Sequence, residues 1–186
     1  MSHYIEFRIL PDPEFPSSII MNLLYSKLHR ALVQTGSTNI GVSFPGFDNK
    51  KNRLGERLRL HGSETHIQNV MDNLSLSALL DHLRVGEVQE VPQQVNYVTV
   101  KRVQCKSSAE RIRRRQIKRH QLSEQDALIR IPDTVQKQLT LPYVTLKSES
   151  TGQSFRLFIN QERVENPETG AFNTYALSDR ATVPMF

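Results

Sequence analysis

Apolar and polar positions alternate over residues 4–9 (YIEFRI), which sets Ile5, Phe7 and Ile9 on one face of a strand. Pro11, Pro13 and Pro16 then interrupt the chain. From Ser17 to Gln34 the period becomes helical, with Ile20, Leu24, Leu28, Ala31 and Leu32 in one stripe and Gly36 as a stop. Two further strands are predicted at Ile40–Phe44 and Arg57–His61, joined by a polar loop containing Gly46, Asn49 and Gly55. Ser63 is placed to cap a second helix in which Ile67, Val70, Met71 and Leu74 recur at helical spacing. A strand at Val85–Val91 meets Pro92. The order β-α-β-β-α-β predicts a ferredoxin-like domain over residues 1–92.

The segment QEVPQQVN (89–96) reads as a linker, and residues 97–186 as a second α+β domain. Within it, Tyr97–Cys105 is strand-like, and Ser107-Ser108-Ala109-Glu110 fits a capping box that opens a helix over about 108–120. Ser123-Glu124-Gln125-Asp126 marks another helix start. Strands are expected at Tyr143–Ser148 and Ser154–Ile159, with a last one at Phe172–Leu177.

Composition narrows the class. Of 186 residues, 38% are hydrophobic, enough for a core and against wholesale disorder. No apolar run approaches the roughly 18 residues of a membrane span. MSHYIEFRIL lacks the basic flank and apolar segment of a signal peptide, so a cytoplasmic protein without a membrane partner is expected. Cys105 is the single cysteine, which excludes an internal disulfide and a cysteine-cluster zinc site.

Charge changes the picture more. Residues 1–95 carry nine Lys/Arg against ten acids, and residues 96–186 carry fifteen against nine. Within the second half, residues 101–120 alone hold nine basic side chains and one acid, a net of +8. On a helical wheel Arg111, Arg114, Arg115, Lys118 and Arg119 fall within an arc of about 140°; His120, next in the chain, is taken as continuing the basic run. Like charges on one face repel, and a polyanion laid against them relieves the repulsion. A solvated basic surface is the plainer alternative; the density of charge favours a nucleic-acid face. An uninterrupted A-form duplex closes its major groove to side chains. A short hairpin stem leaves that groove open at its end, where arginines bind phosphates and guanine edges. Arg102 and Gln104, two apart on the predicted strand, suit guanine and adenine edges.

Candidate chemistry is sparse. The chain has no phosphate-binding P-loop, no dinucleotide fingerprint and no zinc-protease or nucleophile-elbow motif, so no cofactor is assigned. Carboxylates are scattered, without a two-metal pattern, and no metal ligand is assigned. His29 lies about 140° from the centre of the apolar stripe, so it is exposed or faces another domain, and periodicity alone favours a plain surface histidine. The turn Ser148-Glu149-Ser150-Thr151-Gly152 gathers three hydroxyls beside a glycine. It suits a phosphate or ribose, and equally an ordinary hairpin turn. Phe155 shares a strand face with Leu157 and Ile159, placed to stack on a base or to pack in the core.

With these residues assembled, the chain resembles the type I-F (Csy-type) CRISPR-associated endoribonucleases from end to end. The landmarks are HYIEFRILPDPEFP, KLHRALV, GVSFP, RLGERLRLH, RVQCKSSAERIRRR, RIPDTV, LPYVTLKSESTGQSFRLFI and TYALS. The resemblance implies binding of a CRISPR repeat stem-loop and one cut at the 3′ base of the stem, with the mature guide RNA retained. RNA carries its own nucleophile in the 2′-hydroxyl, and carboxylates here are scattered, so the cut is expected to need no metal and to leave 2′,3′-cyclic phosphate and 5′-hydroxyl ends. Other type I-F subunits are the implied protein partners, in a guide-RNA surveillance complex. By the same resemblance His29 corresponds to the catalytic histidine, Ser148 to the serine that holds the attacking ribose, and Tyr175 to the tyrosine that positions the histidine. Arg102 and Gln104 would read bases at the foot of the stem, Phe155 would stack under its terminal pair, and Arg114, Arg115 and Arg119 would grip the groove. Lys118 can offer only point-charge contacts. Two rivals stand beside this expectation: a hairpin-binding subunit with His29 idle, and a DNA-binding regulator using the basic helix.

Overall fold

The computed structural model describes residues 1–104, 109–132, 139–149 and 151–186. They fall into two compact units: Met1–Val103 with Leu141–Phe186, and Gln104–Thr140. The linker expected at 89–96 separates two sheets along the chain, yet compactness groups both sheets in the first unit.

The first sheet contains β1 (His3–Ile9), β2 (Gly41–Ser43), β3 (Arg57–Gly62) and β4 (Leu83–Val85), in the order β2-β3-β1-β4. With α1 (Ser17–Thr35) between β1 and β2, and α2 (Glu64–Asp72) between β3 and β4, this is the ferredoxin-like arrangement. Every residue of the predicted α1 stripe is buried, joined by Met21 and Tyr25. Helix α1 ends at Gly36, whose φ of 61° is the left-handed cap that glycine adopts without a Cβ penalty. Ser63 caps α2 as predicted, its Oγ accepting from the His66 N–H at 3.2 Å.

The strand predicted at Val85–Val91 is split into β4 and β5 (Gln89–Glu90), both paired with β1. Phe7 pairs with Val85 but His3 with Glu90, a register shift of one residue, so a bulge interrupts the ladder. Gly86 N–H still bonds Glu6 O at 2.8 Å before the pairing breaks.

The second sheet has the order β7-β8-β6-β9, from β6 (Asn96–Val103), β7 (Tyr143–Lys147), β8 (Ser154–Val164) and β9 (Thr182–Met185). No strand forms at Phe172–Leu177; a closed turn stands there, and the late strand is β9. Pro184 disguised β9 in the sequence, but β9 is an edge strand, where a missing N–H is tolerated. Gly41 of β2 lets this strand approach: a Cβ there would lie 2.5 Å from a Val183 methyl and 2.7 Å from the Phe172 ring.

In the second unit, α3 (Ala109–His120) and α4 (Glu124–Arg130) bury Ala109 and Ala127. Ser123 caps α4, accepting from the Asp126 N–H at 3.1 Å. Cys105 and the capping-box serines 107 and 108 lie outside the described residues.

The face of the first sheet opposite the helices holds a buried polar cluster. Arg59 donates to Glu6 at 2.6 Å and to the Phe186 main-chain oxygen at 2.5 Å, with the Phe186 ring 4.2 Å from its guanidinium carbon. His61 beside it is fully buried and bonded to Ser43 Oγ at 2.8 Å. Burial, then the Arg59 charge, pushes its pKa down to about 3. An unfolded histidine titrates near 6.5, so between these values the unfolded chain binds a proton that the folded chain does not. His61's contribution is therefore complete above about pH 6.5 and is lost as pH falls toward 3, at about 1.4 kcal/mol per pH unit. Urea unfolding at pH 7.5 and 5.0 should show a loss of about 2 kcal/mol, and a His61→Gln variant should lose much less between the same two values.

Candidate active site

Two elements of the first unit meet across a turn. Tyr25 and His29, four residues apart on α1, share one helix face. Opposite them is the segment 173–177, where Asn173 closes a turn on itself. Its Oδ1 accepts from the Tyr175 N–H at 2.9 Å and the Leu177 N–H at 3.2 Å, while its carbonyl accepts from the Ala176 N–H at 2.8 Å. These bonds hold Ala176 at φ 56°, a left-handed conformation that costs a non-glycine residue of order 1 kcal/mol.

The turn presents three successive carbonyls. Thr174 O accepts from His29 Nδ1 at 2.8 Å, Tyr175 O from the Tyr25 hydroxyl at 2.8 Å, and Ala176 O from the Val42 N–H at 3.1 Å. A carbonyl only accepts, so the Nδ1 of His29 carries the proton, and in the neutral ring Nε2 is the basic nitrogen. Tyr175 stacks on the His29 ring at 4.1 Å between centroids and 12° between planes. The Arg102 guanidinium carbon stands 5.9 Å from the Tyr175 ring centroid on β6. Full burial raises the Tyr25 hydroxyl pKa, so it stays a donor to the turn.

His29 and Tyr175 line a cleft of about 450 Å³ together with Ser148, Lys147 and Phe155. Arg30 and Glu149 form an ion pair of 2.8 Å at its margin. Ser148 follows the end of β7. Its N–H bonds Gln153 O at 2.9 Å, and its carbonyl and Oγ accept from the Gly152 and Thr151 N–H groups at 2.8 and 3.3 Å. The hairpin turn thus uses the Thr151 and Gly152 N–H groups itself, and the cleft receives Ser148 from it. Phe155 is half-buried on the face it shares with Leu157 and Ile159, as the alternation predicted.

Other predicted residues lie elsewhere. Strand β6 ends at Val103, opposite Phe158, because β8 beyond that point pairs only with β7. The alternation that was to put Arg102 and Gln104 on one strand face therefore stops short of Gln104, which belongs to the second unit. Arg111, Arg114, Arg115, Lys118, Arg119 and His120 are all exposed on α3. Glu110 pairs with Arg114, so the basic face is less uniform than its composition suggested. Ser150 lies outside the described residues.

Comparison with known proteins agrees with these landmarks. Residues 4–186 match the family model described as CRISPR-associated protein (Cas_Csy4). The chain belongs to this family. A relative from Pseudomonas aeruginosa (strain UCBPP-PA14), the CRISPR-associated endonuclease Cas6/Csy4, is 50% identical over 187 residues, covering all of both chains. Another of the same name from Escherichia coli (strain UTI89 / UPEC) is 40% identical, again over the whole of both. As a Cas_Csy4 protein the chain is an enzyme of the endonuclease class. Sequence reasoning overlooked Asn173, Thr174 and Tyr25. Asn two residues before Tyr175 signalled a side-chain-closed turn, and Tyr25 four before His29 signalled a shared face. The Thr174 carbonyl carries no side-chain signal at all.

Proposed function

We propose that this enzyme binds a CRISPR repeat stem-loop and cuts it once, at the 3′ base of the stem, without a metal ion. The observation that carries this reading is the fixed tautomer of His29 in a cleft shared with Ser148. His29 Nε2 takes the proton of the ribose 2′-hydroxyl next to the scissile phosphate. O2′ bonds to phosphorus as the bond to the 5′-oxygen breaks; that oxygen takes a proton from solvent, and His29 returns its own to solvent. The products are a 2′,3′-cyclic phosphate and a 5′-hydroxyl, and no water is consumed. Ser148 holds the attacking ribose, and Tyr175 fixes the plane of the histidine ring, which provides the alignment that an in-line displacement requires.

In the same proposal the N-terminal half contributes the histidine and the C-terminal half the hairpin grip. Arg111, Arg114, Arg115, Lys118, Arg119 and His120 lie along the stem. Arg102 and Gln104 read bases at its foot, Phe155 stacks under the terminal pair, and Ser150 and Thr151 lie beside the backbone. The product stays bound, and the protein works in the cytoplasm with other type I-F subunits.

Hairpin affinity should fall steeply with salt, since several phosphates are neutralised together. Removing two charges, in Arg115→Gln with Arg119→Gln, should reduce the slope of log K against log salt by about 2. Titrations from low to moderate salt check this, and an unchanged slope would remove α3 from the interface. An unstructured RNA of equal length should bind far more weakly and remain uncut.

A further inference from the structure

Another cleft of about 860 Å³ lies in the same unit, lined by Arg8, Lys51, Arg53 and Arg57, with Tyr143 and the first residues of α1. Two of its arginines belong to a row: Arg84, Arg8 and Arg57 are in register across β4, β1 and β3. Adjacent partners in such ladders stand about 5 Å apart, and like charges there repel. Phe7 and Ile9 are buried on the opposite face of β1, so Arg8 projects outward. None of these five cations forms an ion pair among the described residues. The neighbouring acids offset only part of this charge: Glu6 is taken by Arg59, which leaves Asp48 and Glu56 against Arg8, Lys51, Arg53 and Arg57. The first turn of α1 has neither a side-chain cap nor an acid, which adds to the positive potential.

The position of this cleft matters. Helix α1 and strand β7 line both clefts: Ser17 and Tyr143 at the basic one, His29 and Lys147 at the catalytic one. Along α1 the two ends are roughly 18 Å apart at about 1.5 Å per residue, a few nucleotides of single strand. An endonuclease cuts an internal bond, so its substrate continues past the scissile phosphate. Tyr143 is 39% exposed, with the Arg156 guanidinium 4.7 Å from its ring. A basic groove with one exposed aromatic suits phosphates and a stacked base. A protein interface would instead place apolar anchors at its centre and few charges.

We propose that the Arg8–Arg53–Arg57 cleft binds the single-stranded RNA on the 3′ side of the cut, led there along the α1–β7 seam. This rests on the endoribonuclease reading for the nature of the strand. The test uses hairpins with a 2′-deoxy cleavage nucleotide and either one or about ten nucleotides beyond it. At low salt the wild type should bind the longer RNA about tenfold tighter, with a salt slope steeper by about 2, as three phosphates on a single strand give. The triple variant R8Q/R53Q/R57Q should bind both RNAs like the wild type binds the short one, and should cut a short all-ribose hairpin at the normal rate. Should that variant fail to fold, R53Q alone should remove about a third of the extra slope. No gain from the extension in wild type, or a gain that the variants keep, overturns the proposal, and the former leaves the face to an acidic protein. Failure of the endoribonuclease reading differs, because the short hairpin itself would then be neither bound nor cut.

Discussion

A repeat hairpin lacking only the 2′-hydroxyl at its cleavage nucleotide should bind with nearly unchanged affinity and should not be cut. The proposed reaction draws its nucleophile from the substrate, so removing one oxygen removes the attacking atom. No protein group in the cleft replaces it, since Ser148 is assigned to hold the ribose and His29 to take a proton. Binding, by contrast, draws on phosphates and base edges along the stem, which the substitution leaves intact. Gel shift and single-turnover cleavage on the same labelled RNA separate the two quantities. Cutting of the deoxy substrate at any appreciable rate would mean that the nucleophile comes from elsewhere.

His29→Ala should retain the hairpin, with a dissociation constant within about threefold of wild type, while the single-turnover rate falls by roughly 10²–10⁴, the range for a lost general base. The substitution also leaves the Thr174 carbonyl without its donor and exposes one face of Tyr175. Those losses are local, because Tyr25 and Val42 still bind the next two carbonyls and Asn173 still closes the turn. An equal loss of binding and cutting would instead assign His29 to the RNA interface.

The ferredoxin-like half was legible because its signals are local and periodic. The stripe of α1, the Ser63 cap and the alternation of β1 each follow from neighbours in sequence. What escaped was set by distant partners. The split between β4 and β5 depends on where β1 offers its ladder, and β9 is hidden by a proline that only an edge position tolerates. Residues 172–177 carry the apolar content of a strand, yet Asn173 competes for the backbone N–H groups and wins. The site was legible as a set of residue types and not as an arrangement. Periodicity left His29 on the wrong side of its helix for the core, without showing that a carbonyl 145 residues away would fix its proton. The resemblance picked out His29, Ser148, Tyr175 and Phe155, and the fold brings all four to one cleft.

The most direct measurement is a cleavage assay with the all-ribose repeat hairpin in excess EDTA, with the ends of both products identified by mass. A single cut at the 3′ base of the stem, leaving a 2′,3′-cyclic phosphate and a 5′-hydroxyl at a rate that magnesium does not change, is the predicted result. Tight binding with no cut would make the chain a hairpin anchor, and a 5′-phosphate product that requires a divalent ion would contradict the histidine mechanism outright.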